Sequence, residues 1–432
     1  MDRDRGYVLP LGFAMTVSMW GLAYIFRLPL VAAPSWLLLL SMLAAVAFWG
    51  WFTGARSGGG WFGGVMVGAT AAILNMLILG SLLTSADGGG VVPTALVWIP
   101  GSIIVVALIA GVAAAAAGDA GKSAAPAVWT ALFSKVAVAA TFLLVVAGGL
   151  VTSSEAGLAV VDWPNTFGSN MFLFPLARMT GGIYYEHAHR LFGALVGLTT
   201  IVLAIRLWRR DDRKWVHRLA LAAVALVVLQ GTLGGLRVTG NFTLSTSEVD
   251  MAPSIVLALA HGVLGQIFLG VMVALAAVTS VGWLEAGAPE LRPNFNDDRG
   301  LQRWLIVTVV VQLMLGAAQR HLAALLIVHI CLAAVVILLA VMVGVRAWGM
   351  YRDTWPVDRL GKALVVLAAF QGLLGIAALA VTGGDAVVGS PSTLAVTITT
   401  AHQATGAVIL AMSVALALWT RRLFAQDPAA IR

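Results

Sequence analysis

Histidine is scarce in this chain, seven among 432 residues, and four of the seven are spaced as if copied. When His189 is placed on His329, Trp208 falls on Trp348, each nineteen residues further on. Gln230-Gly231-x-Leu233-Gly234 then meets Gln371-Gly372-x-Leu374-Gly375 after 22 and 23 residues. From those two glutamines it is 31 residues in both copies to His261 and His402. Four landmarks in matched series, with one single-residue shift among their three spacings, identify a duplication, with copies in 127–285 and 301–424. A related Gln312-x-x-Leu315-Gly316 points to an older helical-hairpin repeat inside it.

A single histidine in an apolar helix is as readily a packing residue as a ligand. Two per copy, at matched depth on alternate helices, read instead as facing imidazoles across a bundle core, the arrangement that holds a haem iron. Zinc or copper is the rival cargo for imidazole. Two histidines, with Cys331 the one cysteine, leave a bare ion short of ligands, whereas a porphyrin supplies four more. Arg190, Arg237 and Arg320 lie within about a turn of the histidine levels, where anionic propionates would favour them; interfacial snorkelling is the plainer account. His217 reads as a solvated loop residue, and His187 and His321 as packing or supporting residues.

The copies differ at one position. In Tyr184-Tyr185-Glu186-His187-Ala188-His189-Arg190 an acid stands three residues before the histidine, on the same helix face; the second copy has Leu326 there. An ionisable group at membrane depth is costly and marks a functional candidate, so the first bundle reads as the reactive site and the second as an electron-transfer or structural one. A Glu186–Arg190 clip at i,i+4 is the competing account, though it gives no reason for only one copy to have the acid.

These residues must be held by helices in lipid. The chain is 60% hydrophobic and 10% charged, more apolar surface than a soluble domain could bury. A span needs about 20 mainly apolar residues. Twelve are predicted, near 7–27, 35–54, 60–84, 91–117, 127–152, 182–207, 217–237, 254–281, 301–318, 322–346, 360–382 and 397–420. Met1-Asp2-Arg3-Asp4-Arg5 is charge-balanced with no small-residue cleavage site after it, so the first span is expected to be retained. With both termini cytoplasmic, only Arg27, Arg178, Arg190, Arg237 and Arg320 of the 26 basic residues fall outside, leaving 21 inside. The net charge of +7 therefore reflects membrane orientation and gives no sign of nucleic-acid binding.

The fold class expected is all-α and polytopic, with two four-helix bundles in parallel orientation plus an N-terminal four-helix extension. The domains expected are 1–122, 123–300 and 301–432, with Gly118-Asp119-Ala120-Gly121-Lys122-Ser123 at the first boundary. The extension has no histidine, and its small residues permit close helix packing.

Over roughly 127–424 the chain resembles the haem A synthases of aerobic respiratory chains. The resemblance rests on Gly148-Gly149-Leu150-Val151-Thr152-Ser153-x-x-Ala156-Gly157-Leu158, Asp162-Trp163-Pro164, Tyr185-Glu186-His187-x-His189-Arg190, Gln319-Arg320-His321 with His329, and Thr400-Ala401-His402-Gln403. It implies an enzyme oxidising a ring methyl of haem O to the formyl group of haem A through a hydroxylated intermediate. His189 and His261, with Arg190 and Arg237, would meet the substrate haem, and Glu186 would be the acid required for activity. His329 and His402, with Arg320, would hold a cofactor haem b. The partners implied are haem O synthase and cytochrome oxidase assembly proteins, in the inner (plasma) membrane; homo-oligomerisation is compatible. Some members have a cysteine pair in an outer loop, and this chain has none there. A dihaem quinol-linked carrier would show similar histidine pairs but leaves Glu186 without a role; a transporter would call for broken helices at midplane.

Overall fold

The computed structural model describes residues 5–28, 31, 33–80, 83–85, 91–118, 124–243, 245, 247–383 and 391–431. Among the described residues, twelve helices are long and apolar enough to cross a membrane. They are α1 (Val8–Phe26), α2 (Ser35–Ser57), α3 (Gly60–Leu79), α4 (Ala95–Ala116), α5 (Pro126–Ser153), α6 (Gly181–Arg210), α7 (Lys214–Thr239), α8 (Ile255–Val278), α10 (Phe295–Leu322), α11 (Leu326–Met350), α12 (Val357–Thr382) and α13 (Thr393–Leu423). A short α9 (Val281–Glu285) follows α8. Each lies where the apolar runs predict it, and the protein is an all-α polytopic membrane protein. Residues 1–4 of the charge-balanced N-terminus and 119–123 of the expected domain boundary lie outside the described residues.

The helix ends follow local chemistry. Ser254 and Ser392 precede α8 and α13 and accept hydrogen bonds from the amides of Leu257 and Ala395, satisfying donors that the first turn leaves open. Gly240 ends α7 at φ +74°, and a Cβ there would also strike the Ala252 carbonyl oxygen.

The chain forms two compact units: Met1–Leu143 with Ala159–Asp212, and Leu144–Leu158 with Arg213–Arg432. In the first, small residues set the packing. Ala110 of α4 lies against Gly50 of α2 and Gly64 of α3 so closely that a Cβ at either glycine would fall within 2.5 Å of its carbonyl oxygen. Helix α1 joins this group to α5 and α6 through aromatic pairs: Tyr7 with Trp129, Phe13 with Phe133, Trp20 with Phe192 and Tyr24 with Tyr184, all at centroid separations of 5.2–5.9 Å. At the opposite end of α6, Arg206 donates to the Gly6 carbonyl and to Thr130.

In the second unit α10, α11, α12 and α13 close a four-helix bundle, and α8 packs on α10 and α13. Its core centres on Leu305, Val309, Ala340, Leu364 and Leu416. Gly344 and Gly361 face each other, so α11 and α12 approach backbone to backbone. At the bundle's other end a two-stranded parallel pair, β1 (Glu290–Arg292) and β2 (Phe424–Gln426), ties the α9–α10 connection to the segment after α13.

Candidate functional site

His329 is the fourth residue of α11 and His402 the tenth of α13, on helices running the same way through the closed bundle. Their rings face each other with centroids 6.4 Å apart and planes at 73°. Two imidazoles on opposite sides of one metal, each bonded at about 2 Å, place their centroids roughly 6 Å apart. The pair is therefore spaced as two imidazoles that would hold one haem iron between them. Buried polar atoms without partners cluster with it: Nδ1 of His402 and Oε1 of Gln312 and Gln371. Such atoms are rare inside a protein and favour a polar occupant. Among the described residues no three His, Cys, Asp or Glu side chains converge as a metal site, so a bare ion here would lack ligands that a macrocycle brings with it.

On the preceding helix a glutamine side chain and a glycine one turn later flank the rings of His329 and His402, and a backbone carbonyl with such a glycine flanks His261. At His329, Nδ1 lies 3.0 Å from Nε2 of Gln312, which also donates to the His329 carbonyl. At His402, Nε2 lies 3.5 Å from Nε2 of Gln371. At His261, the seventh residue of α8, Nδ1 is 3.2 Å from the Gln230 carbonyl oxygen. The repeated Gln-Gly spacing was visible in the sequence, but its use was not: sequence reasoning located the repeat and missed its contact with the imidazoles.

Arg237 and Arg320 both fasten the end of α5 and the residues after it. Arg237 donates to the Gly157 carbonyl at 2.8 Å, and a Cβ on Gly157 would come within 1.9 Å of that guanidinium, which accounts for glycine there. Arg320 donates to the Thr152 carbonyl and lies 3.7 Å from Glu155. His321 sits half-buried, within electrostatic reach of both arginines.

His189 lies in the first unit, on α6, half-buried in the same turn as a densely bonded group. Glu186 is buried. Its Oε1 pairs with Arg190 at 2.8 Å and its Oε2 accepts from the Val160 amide at 2.9 Å. Arg190 directs Nη1 to the carbonyls of Asp162 and Asn165, and Nη2 to Val160 and Glu186. All four of its terminal N–H groups are thus engaged within the protein. Asp162 in turn accepts from the amides of Phe167 and Gly168, closing a turn in which Phe167 has φ +48° and Gly168 +76°. His187 is fully buried beside Phe174, with Nδ1 3.2 Å from the Thr166 hydroxyl.

The i,i+4 clip is therefore present, and the structure supplies the reason that the sequence reading lacked for its occurring once. Residues 154–180 link α5 to α6, a connection of 27 residues, whereas α10 and α11 are joined by Ala323–Leu325 alone. Only the first copy has a long connection to fasten. Arg190, expected at a propionate, places three of its terminal N–H groups on that connection and the fourth on Glu186.

Fold and site together define a polytopic all-α membrane protein with an inward-facing histidine pair in a closed four-helix bundle. Residues 131–331 match the COX15-CtaA family, described as cytochrome oxidase assembly protein. Similar relatives are the haem A synthases of Alkalihalophilus pseudofirmus (30% identity over 24% of this chain and 34% of that one) and Shouchella clausii (34% identity over 26% and 35%). A third, from Lysinibacillus sphaericus, is 29% identical over 26% and 37%. Through this segment the chain is similar to haem A synthases. It spans about a third of the length of the curated relatives it matches. No solved structure matches it.

Proposed function

We propose that the protein is a haem A synthase, an oxidoreductase that converts a ring methyl of haem O to the formyl group of haem A for cytochrome oxidase assembly. The observation that supports it most is the facing pair His329 and His402, 6.4 Å apart, in a chain whose residues 131–331 match this family. In this reading His329 and His402 hold a haem b, with Arg320 toward its carboxylates. His189 and His261, the corresponding pair of the first copy, serve haem O, with Arg237 as the cation of that half. The bound haem supplies the oxidising chemistry that no side chain can.

The chain's own residues orient and enclose. Glu186 has one oxygen on Arg190 and the other on the Val160 amide, so it holds residues 160–168 against α6 one turn from His189. Any proton it moves is moved at one of those two oxygens, with Arg190 as the counter-charge. Arg190 is the anchor of the connection. The membrane is the inner (plasma) membrane, both termini are cytoplasmic, and the partners are haem O synthase and cytochrome oxidase assembly factors.

Pigment extraction tests the reading. Expressed in cells that make haem O but lack their own synthase, the chain is expected to yield haem A at the expense of haem O. Recovery of haem O alone, with b-type haem bound to the protein, would favour an electron carrier and overturn it.

A further inference from the structure

Three histidines of the second unit share one local arrangement that neither the family nor the proposed reaction assigns. Four residues after each flanking glutamine stands a glycine: Gln230 and Gly234 on α7, Gln312 and Gly316 on α10, Gln371 and Gly375 on α12. A Cβ built on Gly234, Gly316 or Gly375 would lie 3.1, 3.1 and 3.2 Å from Cε1 of His261, His329 and His402 respectively. Each ring thus rests on bare helix backbone, so tightly that a methyl group there would push it aside by a few tenths of an ångström. The glutamines reach further along two of the same helices: Oε1 of Gln230 and Nε2 of Gln371 lie 3.6 and 3.5 Å from the Cβ positions of Gly265 and Gly406, one turn beyond the histidines.

An imidazole on a helix has several rotamers, and only one aims a given ring nitrogen at a partner across the bundle. A glycine floor and a polar wall remove the others. We propose that Gln312 with Gly316, and Gln371 with Gly375, are positioning residues that fix the ring orientation of His329 and His402, and that Gly234 with the backbone carbonyl of Gln230 does the same for His261. This rests on the haem reading above. Fixing a ligand through its outer contacts is how proteins tune the strength of a metal bond. His189 is set apart by sequence: no glutamine occurs before Gln230, so the helix preceding His189 cannot supply this wall. The first copy's α6 histidine is therefore held by other means.

Glycine-to-alanine changes separate positioning from folding, because alanine strengthens a helix while its methyl group displaces the ring. The full-length protein would be purified as wild type, G316A, G375A, Q312L, Q371L and the control G231A, whose Cβ would meet open space. Circular dichroism, the visible and paramagnetic-resonance spectra of bound haem and its midpoint potential would be recorded for each. Wild type and G231A are expected to show a low-spin bis-imidazole haem. G316A and G375A are expected to keep their helix content while losing at least half of the low-spin signal, with Q312L and Q371L shifting the potential. Low-spin spectra and potentials equal to wild type in all four site variants would overturn the proposal. If G375A does not fold, Q371L, which adds no atoms against the ring, decides for that histidine. Wild-type protein that itself binds no haem would instead overturn the haem reading, and with it this inference.

Discussion

The connection that opens α6 and the bundle formed by α10–α13 use their polar residues in opposite ways. Around Glu186 most donors and acceptors are consumed locally, Nε2 of the buried His187 excepted: the Glu186 carboxylate, the Arg190 guanidinium and four backbone groups bond one another. Around His329 and His402 the buried polar atoms Nδ1 of His402 and Oε1 of Gln312 and Gln371 have no partner within the protein. The first region is a fastened structure, and the second is arranged to receive something. Retention of an acid in one copy alone thus follows from the 27-residue connection it secures, and a role in chemistry must be exercised from within that clip.

The largest expected effect breaks the fastened side. Arg190→Met would leave Glu186 buried without its counter-charge and four carbonyl or carboxylate contacts unmade. Removing one partner of such a pair costs about 3–5 kcal/mol, to be read as loss of thermal stability and of haem A formation. Glu186→Gln is milder: it keeps the size and one acceptor, so the fold and the second bundle's haem spectrum should survive while haem A formation falls by tenfold or more. Normal haem A formation by a folded Glu186→Gln protein would remove the acid from the reaction. The double change Glu186→Leu with Arg190→Met should recover about 1–4 kcal/mol relative to Arg190→Met alone, since an apolar pair can replace a buried ionic one, without recovering activity. Recovery of both would make the clip purely structural.

A smaller effect lies at the far end of the second bundle. Tyr351, just past α11, donates to Asp298, which also pairs with Arg346. Burial above all, and then the Asp298 contact, push the Tyr351 phenol up from its ordinary value. A raised value means that this contribution to stability is complete below the unfolded-state value and lost as pH rises through the folded one. Tyr351→Phe should cost about 1–3 kcal/mol near neutral pH and leave haem spectra unchanged. It should also flatten the alkaline fall in stability, read by thermal unfolding across pH.

Much of this contrast was legible in the sequence. Apolar runs gave all twelve spans because lipid imposes length and polarity at once, and the histidine spacing gave the repeat. The unequal Glu186 and Leu326 were equally plain. Their reason was not, because it depends on bonds from Arg190 to the carbonyls of Val160, Asp162 and Asn165, and a backbone carbonyl has no signature in residue type. The Gln-x-x-x-Gly repeat shows the same limit: its spacing marks one helix face, but the ring it supports lies on another helix, 31 residues on for Gln230 and Gln371 and 17 for Gln312.

The contrast between the two regions is tested most directly by the haem spectrum of purified His402→Ala beside that of His189→Ala. The account predicts that His402→Ala loses the low-spin haem b signal while His189→Ala retains it and loses haem A formation. Retention of that signal in His402→Ala, with loss in His189→Ala, would contradict it.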